Sequence, residues 1–168
     1  MPVVSGAEFL KAARKGGYAV GGYNTNNLEW TQAILEAAEA KKAPVLIQTS
    51  MGAAKYMGGY KVAKDMITNL VDSMNITVPV AIHLDHGDYE AALECIEVGY
   101  TSIMFDGSHL PFEENLKLAK DVVEKAHAKG ISVECEVGSI GGEEDGIIGT
   151  GELADIEDCK QMVATGID

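Results

Sequence analysis

The chain is 168 residues long, carries 26 acidic against 13 basic residues and has a formal net charge of -13. A field of that sign repels nucleic acid and anionic membrane, so neither is an expected partner. With 46% hydrophobic and 23% charged residues the composition is that of a globular domain with a real core, and no apolar run nears the ~20 residues that cross a bilayer. The opening stretch, MPVVSGAEFLKAARKGG, has no basic head followed by an apolar segment, and no signal peptide is expected. Three widely spaced cysteines, Cys95, Cys135 and Cys159, fit a reducing, cytoplasmic setting better than a disulfide framework.

Short apolar runs alternate with longer amphipathic ones. In chain order the pattern predicts a helix at 7–15, a strand at 19–23 (AVGGY), a helix at 28–41, a strand at 44–48 (PVLIQ) and a helix at 60–74. A strand at 80–84 (VAIHL), a helix at 89–98, a strand at 102–105 (SIMF), a helix at 113–129, a strand at 132–137 (SVECEV) and a helix at 156–165 follow. Helix 113–129 puts Leu116, Ala119, Val123 and Ala126 on one stripe, and Pro111 suits its entrance. Gly99 and Gly130 follow helices where a left-handed cap is wanted, and Asp88 suits the start of helix 89–98. Such a βαβ series implies parallel strands with right-handed crossovers. It closes either as an open doubly wound sheet or as an eight-stranded barrel. The first strand-to-helix turn, GGYNTNN at 21–27, lacks the GxGxxG spacing of a dinucleotide site. Polar residues at many strand ends (Asn24, Ser50, Asp85, His86, Asp106, Glu136) suit the C-terminal rim of a TIM (β/α)8 barrel, here an incomplete segment with about five of eight strands. Residues 166–168 read as the approach to a sixth.

The densest polar cluster is HLDHGD at 83–88. Period two puts His83 and Asp85 on one face while the strand lasts, and His86 falls where it should end. An imidazole and a carboxylate can thus meet near one reacting atom, as a zinc ligand and a proton carrier. The alternative is a satisfied core histidine and a capping aspartate. Asp106 is a second metal ligand or a group that orients one, while His109 suits a turn. Glu134 and Glu136 alternate with apolar neighbours in a covered strand, which is costly unless they are paired, and Glu136 near the rim could meet a metal or a buried cation. The loop 138–151, with glycines around a triple acidic run, is long for a βα connection and suits a mobile lid carrying a base. Asn24 and the stretch QTSMG at 48–52 offer amide, hydroxyl and backbone N–H groups for phosphate or hydroxyls, although Ser50 could equally cap the next turn.

Together, YNTNNLE at 23–29, AIHLDHG at 81–87, FDGS at 105–108 and GGEEDG at 141–146 resemble the class II, metal-dependent fructose-1,6-bisphosphate aldolases, the streptococcal members most closely. The resemblance runs the length of the chain, and tagatose-bisphosphate aldolases share much of it. It implies that His86 binds zinc, that Asp106 and Glu136 are carboxylates near the metal, behind its ligands or at an alternative metal position, and that Asp85 is the acid/base at the C4 hydroxyl of the hexose bisphosphate. It implies Glu144 as the base at C3 of dihydroxyacetone phosphate and Asn24 and Ser50 as substrate contacts. A Zn2+ cofactor, with a monovalent cation or second divalent metal beside it, a phosphorylated sugar substrate, a homo-oligomer (dimer or tetramer) and a cytoplasmic location follow in the same way. The family takes two more zinc histidines and its phosphate loops from later strands, so 1–168 is expected to be the N-terminal part of a single aldolase barrel domain. Fructose 1,6-bisphosphate is the expected substrate, with tagatose 1,6-bisphosphate as the alternative. The competing classes are another barrel or cofactor-binding α/β enzyme and an acidic interaction domain.

Overall fold

A helix, α1 (Gly6–Gly16), precedes a run of alternating strands and helices. The run is β1 (Gly21–Asn24), α2 (Leu28–Lys41), β2 (Val45–Ser50), α3 (Met51–Met57), α4 (Tyr60–Ser73), β3 (Val80–Gly87), α5 (Tyr89–Val98), β4 (Ser102–Phe105), α6 (Phe112–His127) and β5 (Ser132–Cys135). A hairpin of β6 (Gly142–Glu144) and β7 (Ile147–Gly149) and then α7 (Ile156–Val163) follow. The computed structural model describes residues 2–139, 141–144, 147–149 and 151–168. The five main strands are parallel and lie side by side in chain order, β1-β2-β3-β4-β5. A doubly wound sheet would reverse its order at a switch point; this one advances in a single sense, as the staves of a barrel do.

The two faces of the sheet differ. Val45, Ile47, Val80, Ile82, Leu84, Ile103, Phe105 and Val133 belong to the main core, shared with Leu35, Ile67, Val71, Ile96, Ala119, Val122 and Val123 of the covering helices. The alternate residues Leu46 and Ala81 pack instead with Phe9 of α1. Helix α1 therefore stops one end of the concave side, and its first N–H donates to Ser132 Oγ at 3.2 Å. Period two leaves His83 and Asp85 on that same side, one and two layers above Ala81.

Local chemistry accounts for most boundaries. Asp88 caps α5 by accepting from Ala91 N–H at 2.8 Å, and Gly99 closes the helix at φ 92°. Pro111 stands at the entrance of α6. Residues 166–168 reach β5, where Asp168 N–H donates to Val133 O at 2.9 Å. Three features depart from the expectation. The seven residues of α3 carry too little periodicity to be read, yet Ser50 caps them through Ala53 N–H at 3.2 Å. The segment 138–151 contains an antiparallel hairpin rather than only a loop. Strand β3 runs on to Gly87 because it holds a bulge: its register with β4 shifts between Leu84 and Gly87, and His86 adopts φ 48°. Among the described residues, no helix is long and apolar enough to cross a membrane.

Candidate active site at the strand ends

The bulge explains how two adjacent residues serve one site. In a regular strand Asp85 and His86 would point to opposite faces. The left-handed turn at His86, which costs a non-glycine residue on the order of 1–2 kcal/mol, brings both to the rim. Asp85 turns toward β1 and β2. Its Oδ2 accepts from Asn24 Nδ2 at 2.6 Å and its Oδ1 from Gln48 Nε2 at 3.0 Å. Gln48 lies flat against Gly22, where a Cβ would sit 2.0 Å from its Oε1. Both carboxylate oxygens are thus held by neutral amide donors, which fix the orientation of the group.

His86 turns the other way, toward β4 and β5. Its Nδ1 lies 2.8 Å from Asp106 Oδ2 and 3.8 Å from Glu136 Oε2. One donor atom from each of His86, Asp106 and Glu136 falls within 4.8 Å of the other two, and all three side chains are partly buried. Burial works to raise the Asp106 pKa, but hydrogen bonds from His86 and Ser108 outweigh it and hold the carboxyl below its ordinary range. An imidazole converging with two carboxylates fits a divalent cation such as Zn2+, whose charge relieves the repulsion between the two acids.

One layer down, His83 is 2% exposed, with Nδ1 2.8 Å from Ser102 Oγ and Nε2 3.6 Å from Glu134 Oε2. Burial pushes its pKa down to about 4, with His86 adding to the shift and Asp85 opposing it. His83 is therefore a neutral floor to the site. Ser50 pairs in register with Asp85 while its hydroxyl caps α3. His109 is exposed. Glu144 has its backbone in β6, but its side chain lies outside the described residues, as do Asp145 and Gly146.

The structure thus brings Asn24 and Asp85 together, and His86, Asp106 and Glu136 together. Sequence reasoning missed Gln48 as an Asp85 partner. The signal was there in outline, because Asn24, Gln48 and His83 occupy matched positions on three neighbouring strands.

The sequence model of the family "Fructose-bisphosphate aldolase class-II" matches residues 4–168. The fructose-bisphosphate aldolase of Streptococcus pneumoniae is 83% identical over 168 residues, all of this chain and 57% of its own length. That of Streptococcus pyogenes is 79% identical over the same span, again 57% of its length. Among solved structures, a putative fructose-1,6-biphosphate aldolase from Coccidioides immitis superposes with a TM-score of 0.87 at 33% identity, covering 100% of this chain and 60% of that one. The chain therefore spans little more than half the length of the streptococcal relatives it matches.

Proposed function

The chain belongs to the class II fructose-bisphosphate aldolase family, and on that premise we propose that it forms the N-terminal part of a single (β/α)8 barrel that cleaves fructose 1,6-bisphosphate reversibly to dihydroxyacetone phosphate and glyceraldehyde 3-phosphate. The observation that carries the reading is the division of one rim into a carboxylate held by two amides, Asp85, and a convergent donor set, His86, Asp106 and Glu136.

His86, Asp106 and Glu136 would hold Zn2+, which when bound supplies Lewis acidity toward a ketose carbonyl and its neighbouring hydroxyl. Asp85 removes the C4 hydroxyl proton of the hexose bisphosphate. As the C4–O bond becomes a carbonyl, the C3–C4 bond breaks and glyceraldehyde 3-phosphate leaves. Glu144 then delivers a proton to the electron pair left at C3, which completes dihydroxyacetone phosphate. Condensation runs the same steps backwards, with Asp85 as the acid. Asn24 has two tasks, orienting Asp85 and meeting the substrate, and Ser50 contacts the substrate from the end of β2. A monovalent cation or second divalent metal accompanies the zinc, and the enzyme works in the cytoplasm as a homo-oligomer.

The test uses the full-length enzyme. Exhaustive chelation should abolish cleavage of fructose 1,6-bisphosphate, and added Zn2+ should restore it. Borohydride with substrate should leave no covalent adduct detectable by mass spectrometry. Cleavage that survives chelation, or a reduced adduct on a lysine, would overturn the reading.

A further inference from the structure

The ladder between β4 and β5 ends at the pair Phe105–Cys135. Asp106 and Glu136, the two carboxylates of the donor set, each lie one residue beyond it. Strand pairing therefore does not fix one against the other. On the β3 side the missing tie is backbone, since Asp106 N–H donates to Gly87 O at 2.9 Å. On the β5 side it is a side chain. Asn115, in the opening turn of α6, is 2% exposed, and its Nδ2 donates to the backbone carbonyl of Glu136 at 2.9 Å.

The other end of the same amide is wedged against the turn after β4. A Cβ on Gly107 would lie 2.5 Å from Asn115 Oδ1, 2.9 Å from Asn115 Cγ and 2.9 Å from Phe105 Cζ. The missing side chain at 107 is what lets the amide approach. Asn115 Oδ1 is buried with no hydrogen-bond partner among the described residues. An orphaned buried acceptor is destabilising. A leucine of similar size would remove that orphan, but it would also take the donor away from the Glu136 carbonyl. What the asparagine specifically supplies is that grip on the backbone of Glu136.

We propose that Asn115 is a positioning residue for the metal centre, a brace that sets the separation of the Asp106 and Glu136 carboxylates by gripping the backbone behind each. The inference rests on the reading of His86, Asp106 and Glu136 as a divalent-cation site. The Nδ2–carbonyl bond replaces the ladder bond that the sheet no longer supplies at Glu136, and the close approach to Gly107 fixes the turn that carries Asp106. Small displacements of either carboxylate change the size of the cavity between them, and cation affinity follows that size. Residues that orient metal ligands from behind typically change metal affinity by ~10–100-fold when replaced.

The experiment titrates metal-stripped full-length enzyme with Zn2+ against a chromophoric chelator, records the Co2+ absorption bands, and melts the metal-free protein. Asn115→Leu should bind Zn2+ roughly 10–100-fold more weakly, with altered Co2+ bands and a loss of affinity larger than any fall in the metal-free melting temperature accounts for. Asn115→Asp, which keeps the shape but lacks the donor, should weaken binding as well. Gly107→Ala, which displaces the amide from the other side, should act in the same direction. Wild-type affinity and bands in both Asn115 variants would overturn the proposal. So would a loss of affinity that only tracks a loss of metal-free stability. His86→Ala is the control for the underlying reading: if it binds Zn2+ like the wild type, the donor set is not the metal site and the brace falls with it.

Discussion

Two layers of the same concave surface are built for different ends. The lower layer is apolar and closed: Phe9 packs on Leu46 and Ala81, and the histidine above them is buried against Ser102. The upper layer is polar and open, with Asp85, His86, Asp106 and Glu136 at the strand ends. His83 and His86 stand three residues apart on one strand. The first is held neutral by burial; the second sits between two carboxylates. Depth along the strand decides which histidine is sealed into the fold and which reaches the carboxylates of the rim.

Perturbing the floor therefore changes stability, and perturbing the rim changes rate. One of the two largest effects belongs to His83. Its pKa is about 4 in the folded protein against 6.5 as the ordinary value. The unfolded chain therefore binds more protons between those two values. Its stabilising contribution is complete above pH 6.5 and is lost as pH falls through about 4. Denaturant titrations of the metal-free full-length protein should show about 2–3 kcal/mol less stability at pH 4.5 than at pH 7 from this group. His83→Asn should remove that component, and an equal loss in the variant would assign it elsewhere.

Next comes the rim. Asp85→Ala should lower kcat by about 10²-fold, which is about 2.7 kcal/mol, with zinc still bound. His86→Ala should instead lose the metal. Metal content measured beside steady-state rates separates the two, and equal zinc loss in both would erase the distinction between the halves of the rim. Gln48→Met tests the amide clamp: kcat for cleavage should fall roughly 10-fold, about 1.4 kcal/mol. Exchange of the C3 proton of dihydroxyacetone phosphate in heavy water, the task given to Glu144, should stay at the wild-type rate. A matching fall in exchange would mean that Gln48 supports the site in general rather than Asp85. The smallest effect is at the border. Ser50→Ala should cost about 1 kcal/mol of stability as a lost cap on α3, and should raise KM for the bisphosphate; an unchanged KM would leave Ser50 as a cap alone.

Much of this was legible from one-dimensional patterns. Continuous apolar runs such as PVLIQ and SIMF mark strands covered on both faces, and the polar residues at or just past their ends mark the rim. Asp88, Gly99 and Pro111 announce their caps by residue type. The bulge was not legible. Gly87 was the natural place for the chain to turn, whereas the left-handed residue is His86, a conformation imposed by the mismatch with β4. Gln48 and Asn115 stayed hidden for a related reason. Each acts on a residue 37 or 21 positions away, and only strand register or helix docking makes them neighbours. Helix α3 and the hairpin β6–β7 are too short to develop a period of their own.

The stopper helix also dictates how the protein can be handled. Residues 2–4 run beside the beginning of β3, where Val80 N–H donates to Pro2 O at 2.8 Å and Val4 N–H donates to Val80 O at 2.9 Å. Strand β3 then carries the chain five residues on from Val80 to Asp85, a rise of about 17 Å. A tether or fluorophore joined at residue 2 therefore hangs from the plugged end, with the whole height of the strand between it and the carboxylates. Surface-immobilised protein anchored there presents the strand-end carboxylates to the solution, and a bulky fusion at that end stays clear of them.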